Sequence, residues 1–338
     1  MADVEELPEI AERRKRVDIE IQKILREGEY EPLLKGMQRY PFAGGKRWRP
    51  IFAMLTADCI SGSGERAMRF GIALELIHNF TLVHDDIMDM AETRRKIKCI
   101  HADKTIHPDE HYHLAYAIDV GDALFAKGFE VLESVDGSDA IVRRLLRETA
   151  RMVLGIAEGQ QMDMDFAQRY NITEEEYLKM IEKKTSLMFR TAAMGGAIIA
   201  EGTEKQIENC AEFGRLVGIG FQIADDIIDL LGNPEITGKQ RGGDLKEGKR
   251  TLIIVHALAN ANELQRKKII ETLGNHFANP EDIENCINIL KETGAIKYAE
   301  KVAVEFSLKA KECLKVLPNN REREILNMFA DFMVHRIK

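Results

Sequence analysis

The sequence has few residues of the kinds that would tie it to disulfide bonds, a membrane or nucleic acid. Its five cysteines are odd in number and never in CxxC spacing, so neither a disulfide framework nor a zinc knuckle is expected. No apolar stretch is long enough to span a bilayer, and the charged N-terminus lacks the apolar core of a signal peptide. The net charge of −8 disfavours general nucleic-acid binding. We therefore expect a soluble protein of the reducing cytoplasm.

Proline is also scarce, with eight in 338 residues, and most of them fall between segments with helical periodicity. Apolar residues recur at spacings of three and four, as at Leu216, Ile219, Ile223 and Ile227, and strand-like alternation is not evident. We predict one all-α domain that covers residues 1–338 and contains roughly ten or more helices. About the first 18 residues are expected to be peripheral to that domain.

Two acidic motifs of the form Asp-Asp-x-x-Asp lie late in helical segments. Their members are Asp85, Asp86, Asp89 and Asp225, Asp226, Asp229. Carboxylates four residues apart share one helical face, where they repel by a few tenths of a kcal/mol and oppose the helix dipole near a C-terminus. A helix has no local reason to carry this motif twice, which indicates a functional site. All-oxygen ligands suit a hard divalent cation, most naturally Mg²⁺ shared with a phosphate-bearing substrate.

Basic elements accompany the acidic motifs. Residues 44–50 read GGKRWRP, Lys183-Lys184-Thr185 precedes a helical segment, and residues 237–251 read TGKQRGGDLKEGKRT. Any one of these elements alone could be a solvated charged face. Together with two aspartate clusters in an acidic protein, they suit diphosphate groups, some bridged by metal and some held directly by Arg and Lys.

The chain resembles the trans-isoprenyl diphosphate synthases (polyprenyl synthetases) in six motifs, from about Ile19 almost to the C-terminus. In order, they are GGKRWRP, HDDIMDxxxxRR, GQQMD, KT, FQIADDIID and GGDLKEGKRT. The resemblance implies an isoprenoid synthase bundle of helices around a deep central cavity, usually as a homodimer. It also implies a trans-prenyltransferase that joins isopentenyl diphosphate to dimethylallyl, geranyl or farnesyl diphosphate.

The resemblance implies catalytic and metal-binding roles for the aspartates. The catalytic residues would be Asp85, Asp89, Asp225 and Lys184. The metal ligands would be Asp85, Asp89, Asp225 and Asp229. They would bind about three Mg²⁺, for which Mn²⁺ could substitute. Asp86 and Asp226 would either be helper ligands or act from behind the ligands without touching the metal.

The resemblance also divides the basic and polar residues between two substrates. Isopentenyl diphosphate would be held by Lys46, Arg49, His78 and Arg95. The allylic diphosphate would be held by Arg94, Lys184, Thr185, Gln222, Lys239 and Lys249. His84 is expected to have a packing role rather than that of a general base.

Product length is expected to depend on the residues just before Asp85. Phe80 lies five positions back, about 7.5 Å along the helix axis, and the small Thr81 lies four positions back. By composition alone Phe80 would be a core residue. Within the family, this arrangement resembles archaeal-type geranylgeranyl diphosphate synthases. We expect a twenty-carbon product ahead of a fifteen-carbon or a mixed product.

The segment after Arg95 departs from the family pattern. A glycine usually follows the arginine pair, but here Lys96 does. The segment 96–113 holds four of the nine histidines, among them His107 and His111 at a spacing that could bind a transition metal. We favour a polar loop here. The departure concerns substrate gating and primer preference and leaves the aspartates intact.

Three other functions remain open from the sequence. A class I terpene cyclase normally replaces the second aspartate motif and lacks a separate basic site. A non-catalytic regulatory subunit of a heteromeric synthase typically loses aspartates, and both sets are whole here. A structural Ca²⁺-binding protein is disfavoured because EF-hand spacing is missing.

Overall fold

The computed structural model describes residues 4–169, 171–232 and 241–335, and its fold is all-α, as predicted. The α-helices are α1 (Pro8–Ile24), α2 (Glu31–Phe42), α3 (Trp48–Ser61), α4 (Gly64–Met88), α5 (Glu110–Glu133), α6 (Asp139–Ala167), α7 (Glu174–Ile181), α8 (Leu187–Ile199), α9 (Glu204–Leu231), α10 (Gly243–Glu247), α11 (Leu252–Asn260), α12 (Glu263–Thr272), α13 (Pro280–Glu292), α14 (Ala295–Cys313) and α15 (Arg321–His335). Short 3₁₀ turns cover Val4–Glu6, Ile100–Ala102 and Leu314–Val316. Across the described ranges, none of the helices combines the length and apolarity needed to cross a bilayer.

Extended structure is confined, within the described ranges, to one small hairpin. Strand β1 (Thr93–Arg94) pairs antiparallel with β2 (Ile97–Lys98). A π-helical turn at Glu182–Ser186 joins α7 to α8.

The chain divides into two compact units by its internal contacts. Unit 1 comprises 1–150, 191–211 and 316–326, and unit 2 comprises 151–190, 212–315 and 327–338. The prediction of one domain over the whole chain therefore stays a prediction. The first aspartate motif lies in unit 1 and the second in unit 2.

Unit 1 is built around α4, which packs against α3 and α5. More than one side of α4 is apolar, and Phe70, Leu74 and Ile77 are fully buried. A helix that is apolar nearly all round belongs in a core. This packing fixes the part of α4 that leads to the first aspartate motif.

The N-terminal segment, expected at the periphery, contributes buried side chains to unit 1. Val4, Ile10 and Val17 are at most 1% exposed. Arg13 of α1 also pairs with Asp58 of α3 at 2.6 Å. The apolar stripe of α1 therefore packs as part of the unit.

Unit 2 has its own core around the C-terminal half of α9. Ile223 and Ile227 are fully buried in a cluster that also includes Ile253 and Ile254 of α11 and Ala299 of α14. The pattern Thr-Glu-Glu-Glu at residues 173–176 predicts a capping box that opens a helix, and the start of α7 carries it. The hydroxyl of Thr173 accepts a hydrogen bond from the amide of Glu176, and the carboxylate of Glu176 accepts one from the amide of Thr173.

Close approach of α9 to α8 depends on Gly214. A Cβ atom at this position would lie 2.3 Å from the carbonyl oxygen of Phe189 and 2.8 Å from the Cα of Arg190. Because those are backbone atoms, they can move only if a helix moves.

We predict that Gly214→Ala lowers the free energy of unfolding by roughly 1–3 kcal/mol, as expected for overpacking. Urea denaturation followed by circular dichroism measures the loss. The matched control is Gly155→Ala in α6, where the added Cβ would meet only the end of the Leu187 side chain. That side chain can rotate away, so its loss should be smaller. Equal losses in both variants would show that the helix contact is not tight.

Candidate active site

The first aspartate motif lies where α4 ends. Met90 adopts a left-handed backbone with φ of 52°, and the amide of Ala91 donates to the carbonyl of Asp86 at 2.9 Å. This is the hydrogen-bond pattern of a Schellman cap, with Met90 at the position that favours glycine. The cap leaves Asp85 in the last turn and Asp89 at the C-cap, both half-buried.

Asp86 is held quite differently from its two neighbours, since it is fully buried. The Tyr40 hydroxyl donates to Oδ2 at 2.5 Å, and the Arg94 Nε donates to Oδ1 at 2.7 Å. The Cys99 Sγ lies 3.3 Å from Oδ2. Burial, and then the charge of Asp86, raise the pKa of Tyr40. Burial is the largest single influence on Arg94 and lowers its pKa, but the hydrogen bond to Asp86 and the charges of Asp86 and Asp85 together outweigh it and raise the pKa of Arg94.

The second motif, at the end of α9, repeats this arrangement. Asp225 and Asp229 are half-buried, whereas Asp226 is 5% exposed. The Tyr177 hydroxyl donates to Oδ2 of Asp226 at 2.6 Å, and the Gln222 amide donates to Oδ1 at 2.8 Å. Burial, with the nearby charge of Asp244, raises the pKa of Asp226 well above its usual value.

Asp229 is also tied to the segment that follows α9. Its carbonyl accepts from the amide of Gly242 at 3.0 Å, and its Oδ2 accepts from the amide of Asp244 at 3.1 Å. The Asp244 carboxylate in turn accepts from Lys249 Nζ at 3.0 Å. The structure thus brings Lys249 into the neighbourhood of the second motif. Lys239 lies outside the described residues.

Lys184 and Thr185 lie in the π-helical turn between α7 and α8. Lys184 Nζ donates to Asp163 at 2.6 Å, and the Thr185 hydroxyl donates to Gln222 Oε1 at 2.7 Å. The π turn adds one residue to the helical repeat, and such turns often occur at functional sites. Asp163 belongs to the GQQMD motif, but the sequence alone gives it no role. The available signal was its position as the carboxylate of that motif; the close approach of the Lys184 backbone to Gly159 is visible only in the structure.

A cluster of cationic residues lies in unit 1. Burial, and then the charges of Arg49 and Arg95, lower the pKa of His78 well below its usual value. Burial lowers the pKa of Arg49 to about 10, and burial also lowers that of Arg95. Their mutual repulsion favours binding of an anion here. Of the residues assigned to isopentenyl diphosphate, Lys46 is half-exposed, pairs with Glu5 and lies 5.7 Å from the Trp48 ring.

Arg47 is a structural residue that sequence reasoning missed. It is 3% exposed with a left-handed φ of 53°, and it pairs with Asp18 at 2.7 Å and with the buried Glu75 at 3.0 Å. It sits among the basic residues of GGKRWRP, and nothing in the motif distinguishes it from Lys46 and Arg49. The pairing with Glu75, which comes from α4, was not visible in the local sequence.

The sequence profile of the family described as polyprenyl synthetase matches residues 31–290. The chain belongs to the polyprenyl synthetase family. It is 37% identical over 328 residues to the geranylgeranyl diphosphate synthase of Methanosarcina mazei, with 97% of each chain covered.

Two solved structures support the same assignment. The geranylgeranyl pyrophosphate synthetase of Pyrococcus horikoshii Ot3 superposes with a TM-score of 0.87 at 35% identity, covering 97% of this chain and 98% of that one. The polyprenyl synthase of Caulobacter crescentus CB15, complexed with calcium and isoprenyl diphosphate, gives 0.86 at 27% identity and 98% coverage of both. This polyprenyl synthetase is a trans-prenyltransferase.

The residues assigned to chain length in this polyprenyl synthetase lie beside a row of aromatic rings. The Phe80 ring centroid is 5.0 Å from that of Phe125 and 4.8 Å from that of His84, and Phe125 continues to Phe129 at 5.0 Å. The Thr81 hydroxyl donates to the carbonyl of His78 at 2.8 Å. His84 Nε2 lies 3.2 Å from the carbonyl of Ile118. These contacts agree with a packing role for His84.

The backbone conformation explains why the family pattern has a glycine at the position that Lys96 occupies in this chain. Arg95 and Lys96 form the two-residue connection of the β1–β2 hairpin, with φ of 52° and 66°. Two positive φ values are those of a type I′ turn, which favours glycine. A glycine after the arginine pair therefore suits the turn, whereas Lys96 strains it.

We predict that Lys96→Gly raises the free energy of unfolding by up to about 1 kcal/mol, because it relieves this strain. Chemical denaturation measures the gain. Lys98→Gly is the control, since it removes the same side chain from the extended strand β2 and should lower stability instead. If both substitutions lower stability equally, the turn is not strained by Lys96.

The histidine-rich segment is partly helical, because His111 and His113 belong to the first turn of α5. The His107 ring lies 4.3 Å from that of Tyr112, and its Nδ1 accepts from the amide of Asp109 at 3.1 Å. In residues 4–169, 171–232 and 241–335, no three His, Cys, Asp or Glu side chains are arranged to hold a metal ion by themselves. A metal at either aspartate motif would therefore need further oxygen ligands from a substrate.

Proposed function

We propose that this polyprenyl synthetase joins isopentenyl diphosphate head-to-tail to allylic diphosphates, with Mg²⁺ as cofactor, and that its main product is geranylgeranyl diphosphate. One observation carries the proposal: each aspartate motif buries its middle carboxylate and leaves its two outer carboxylates half-buried. The names of the Methanosarcina and Pyrococcus relatives support the product.

The donor atoms fit a hard divalent cation. The outer residues Asp85, Asp89, Asp225 and Asp229 offer only carboxylate oxygens, as Mg²⁺ prefers. About three Mg²⁺ would be held with the help of diphosphate oxygens, and Mn²⁺ would substitute. When bound, the metal neutralises charge on the leaving diphosphate. The calcium ion named with the Caulobacter relative supports a divalent cation.

Basic and polar residues would bind the two diphosphates. In unit 1, Lys46, Arg49, His78 and Arg95 would hold isopentenyl diphosphate, and the lowered pKa values of Arg49 and His78 support an anion site there. The allylic diphosphate would be held by Arg94, Lys184, Thr185, Gln222, Lys239 and Lys249. Lys184 and Lys249 each donate a hydrogen bond to an aspartate in the described structure. When the diphosphate binds, each lysine would contact it either in place of the aspartate or in addition to it.

The reaction requires no protein nucleophile. The allylic C–O bond breaks with its electron pair on the diphosphate oxygen, and the cations stabilise that charge. The double bond of isopentenyl diphosphate attacks the allylic carbon, and a proton then leaves to the released diphosphate. Apolar side chains such as Phe80 and Phe125 would keep water from the carbocation.

We also propose a cytoplasmic homodimer. All five cysteines are thiols outside any disulfide bond, and four of them are buried, which suits a reducing compartment. Leu114 and Ile118 lie one turn apart on α5 and are 39% and 43% exposed. An apolar stripe of this kind would pack against a second copy. Light scattering of the purified protein would test this by giving the mass in solution.

The first experiment incubates the purified protein with Mg²⁺, isopentenyl diphosphate and each allylic primer in turn, and resolves the products by mass. We expect a dominant twenty-carbon diphosphate, and no product with a chelator present. A fifteen-carbon or longer product would keep the reaction and refute the predicted length. No elongation with any primer would favour a non-catalytic subunit.

A further inference from the structure

The middle aspartates of the two motifs are anchored in the same way by tyrosines from other helices. Tyr40 comes from α2 and Tyr177 from α7, and each is 1% exposed. Each hydroxyl donates to Oδ2 of its aspartate, at 2.5 Å for Asp86 and 2.6 Å for Asp226. In both cases a second side chain, Arg94 or Gln222, donates to Oδ1.

The helix geometry separates the middle carboxylate from the outer pair. Asp85 and Asp89 are four residues apart and share a face, whereas Asp86 is rotated by about 100° and directed into the unit. The same holds for Asp226 relative to Asp225 and Asp229. Because both oxygens of Asp86 and Asp226 already accept protein hydrogen bonds, these carboxylates are poorly placed to bind a metal directly.

Packing alone does not require these tyrosines. A phenylalanine would fill the same volume, and burying a carboxylate costs free energy that an apolar pair would avoid. A hydrogen bond to a carboxylate in a water-excluded site is strong and directional. Each tyrosine therefore fixes the rotation of the last turn of α4 or α9, which carries the outer carboxylates.

We propose that Tyr40 and Tyr177 are positioning residues, which hold the two metal-binding carboxylate pairs in place through Asp86 and Asp226. The inference rests on the proposed role of the outer aspartates as metal ligands. Residues that orient metal ligands typically change metal affinity by about 10- to 100-fold when they are removed.

The test uses Tyr40→Phe and Tyr177→Phe in the full chain, with Mn²⁺ and inorganic pyrophosphate as the probe. Electron paramagnetic resonance measures bound Mn²⁺ without turnover. We expect Mn²⁺ affinity to fall by about 10-fold or more in each variant. Melting curves establish that the isosteric variants remain folded.

Two matched controls remove a hydrogen-bonded tyrosine hydroxyl elsewhere in the same units. Tyr116 donates to the carbonyl of Pro32 at 2.5 Å in unit 1, and Tyr298 donates to Glu174 at 2.8 Å in unit 2. Tyr116→Phe and Tyr298→Phe should bind Mn²⁺ like the wild type. If Tyr40→Phe and Tyr177→Phe also bind it like the wild type, the proposal is overturned while the metal site itself stands.

A double-mutant cycle tests the route through the aspartate. If Tyr40 acts through Asp86, Tyr40→Phe should have little further effect on Mn²⁺ affinity in an Asp86→Asn background. Independent, multiplying losses would overturn the proposal. A wild type that binds no Mn²⁺ with pyrophosphate would overturn the proposed metal site together with this inference.

Discussion

Asp85→Asn is expected to lower kcat by about three orders of magnitude, which corresponds to about 4 kcal/mol of lost transition-state stabilisation. The substitution keeps the shape of the side chain and removes its charge, so the last turn of α4 should stay intact. The loss falls on the step in which charge develops on the leaving diphosphate. Steady-state kinetics over a range of Mg²⁺ concentrations would measure it.

The matched control for this prediction is Asp136→Asn. Asp136 is 83% exposed in the connection between α5 and α6, where its contact with Arg66 is a distant 3.7 Å. Asp136→Asn makes the same change in charge as Asp85→Asn, and it should leave kcat unchanged. Asp225→Asn should lose activity on the scale of Asp85→Asn, because the second motif has the same construction. A variant that kept most of its kcat at saturating Mg²⁺ would remove that aspartate from the metal site.

Local sequence patterns were enough to predict the features that depend only on residues close together in the chain. The helical period placed both aspartate motifs near helix ends, and the Thr173 capping box marked the start of α7. Spacing also separated Asp85 and Asp89 from the rest of the motif, because residues four apart share a face. These signals lie within one or two turns of chain, where geometry follows directly from sequence.

The structure added what depends on distant contacts. Tyr40 meets Asp86 from 46 residues away, and Tyr177 meets Asp226 from 49 residues away. Neither tyrosine has a local feature that marks it. The π-helical turn at Lys184 could not be predicted for another reason. One extra residue in a helix leaves the spacing of apolar residues almost unchanged. The family resemblance also implies that Asp85 and Asp89 face Asp225 and Asp229, and this stays a prediction.

Phe80→Ala is expected to lengthen the product beyond twenty carbons. The ring lies on α4 before the metal motif, and it packs against Phe125 and His84. Removing it opens space where the growing chain would otherwise stop, while the aspartates and the cationic residues are untouched. Mass analysis of the products with farnesyl diphosphate as primer would show a shift to twenty-five or more carbons.

Two variants separate this steric effect from a general loss of packing. Phe277→Ala removes the same atoms from a ring that is 97% exposed in unit 2, and it should leave the product unchanged. Thr81→Phe adds a ring one residue closer to Asp85 and should shorten the product. If the Phe80 ring sets the limit, removing Phe125 as well should allow still longer chains, because Phe125 is the next ring in the row. An unchanged product distribution in Phe80→Ala would mean that the chain is stopped elsewhere.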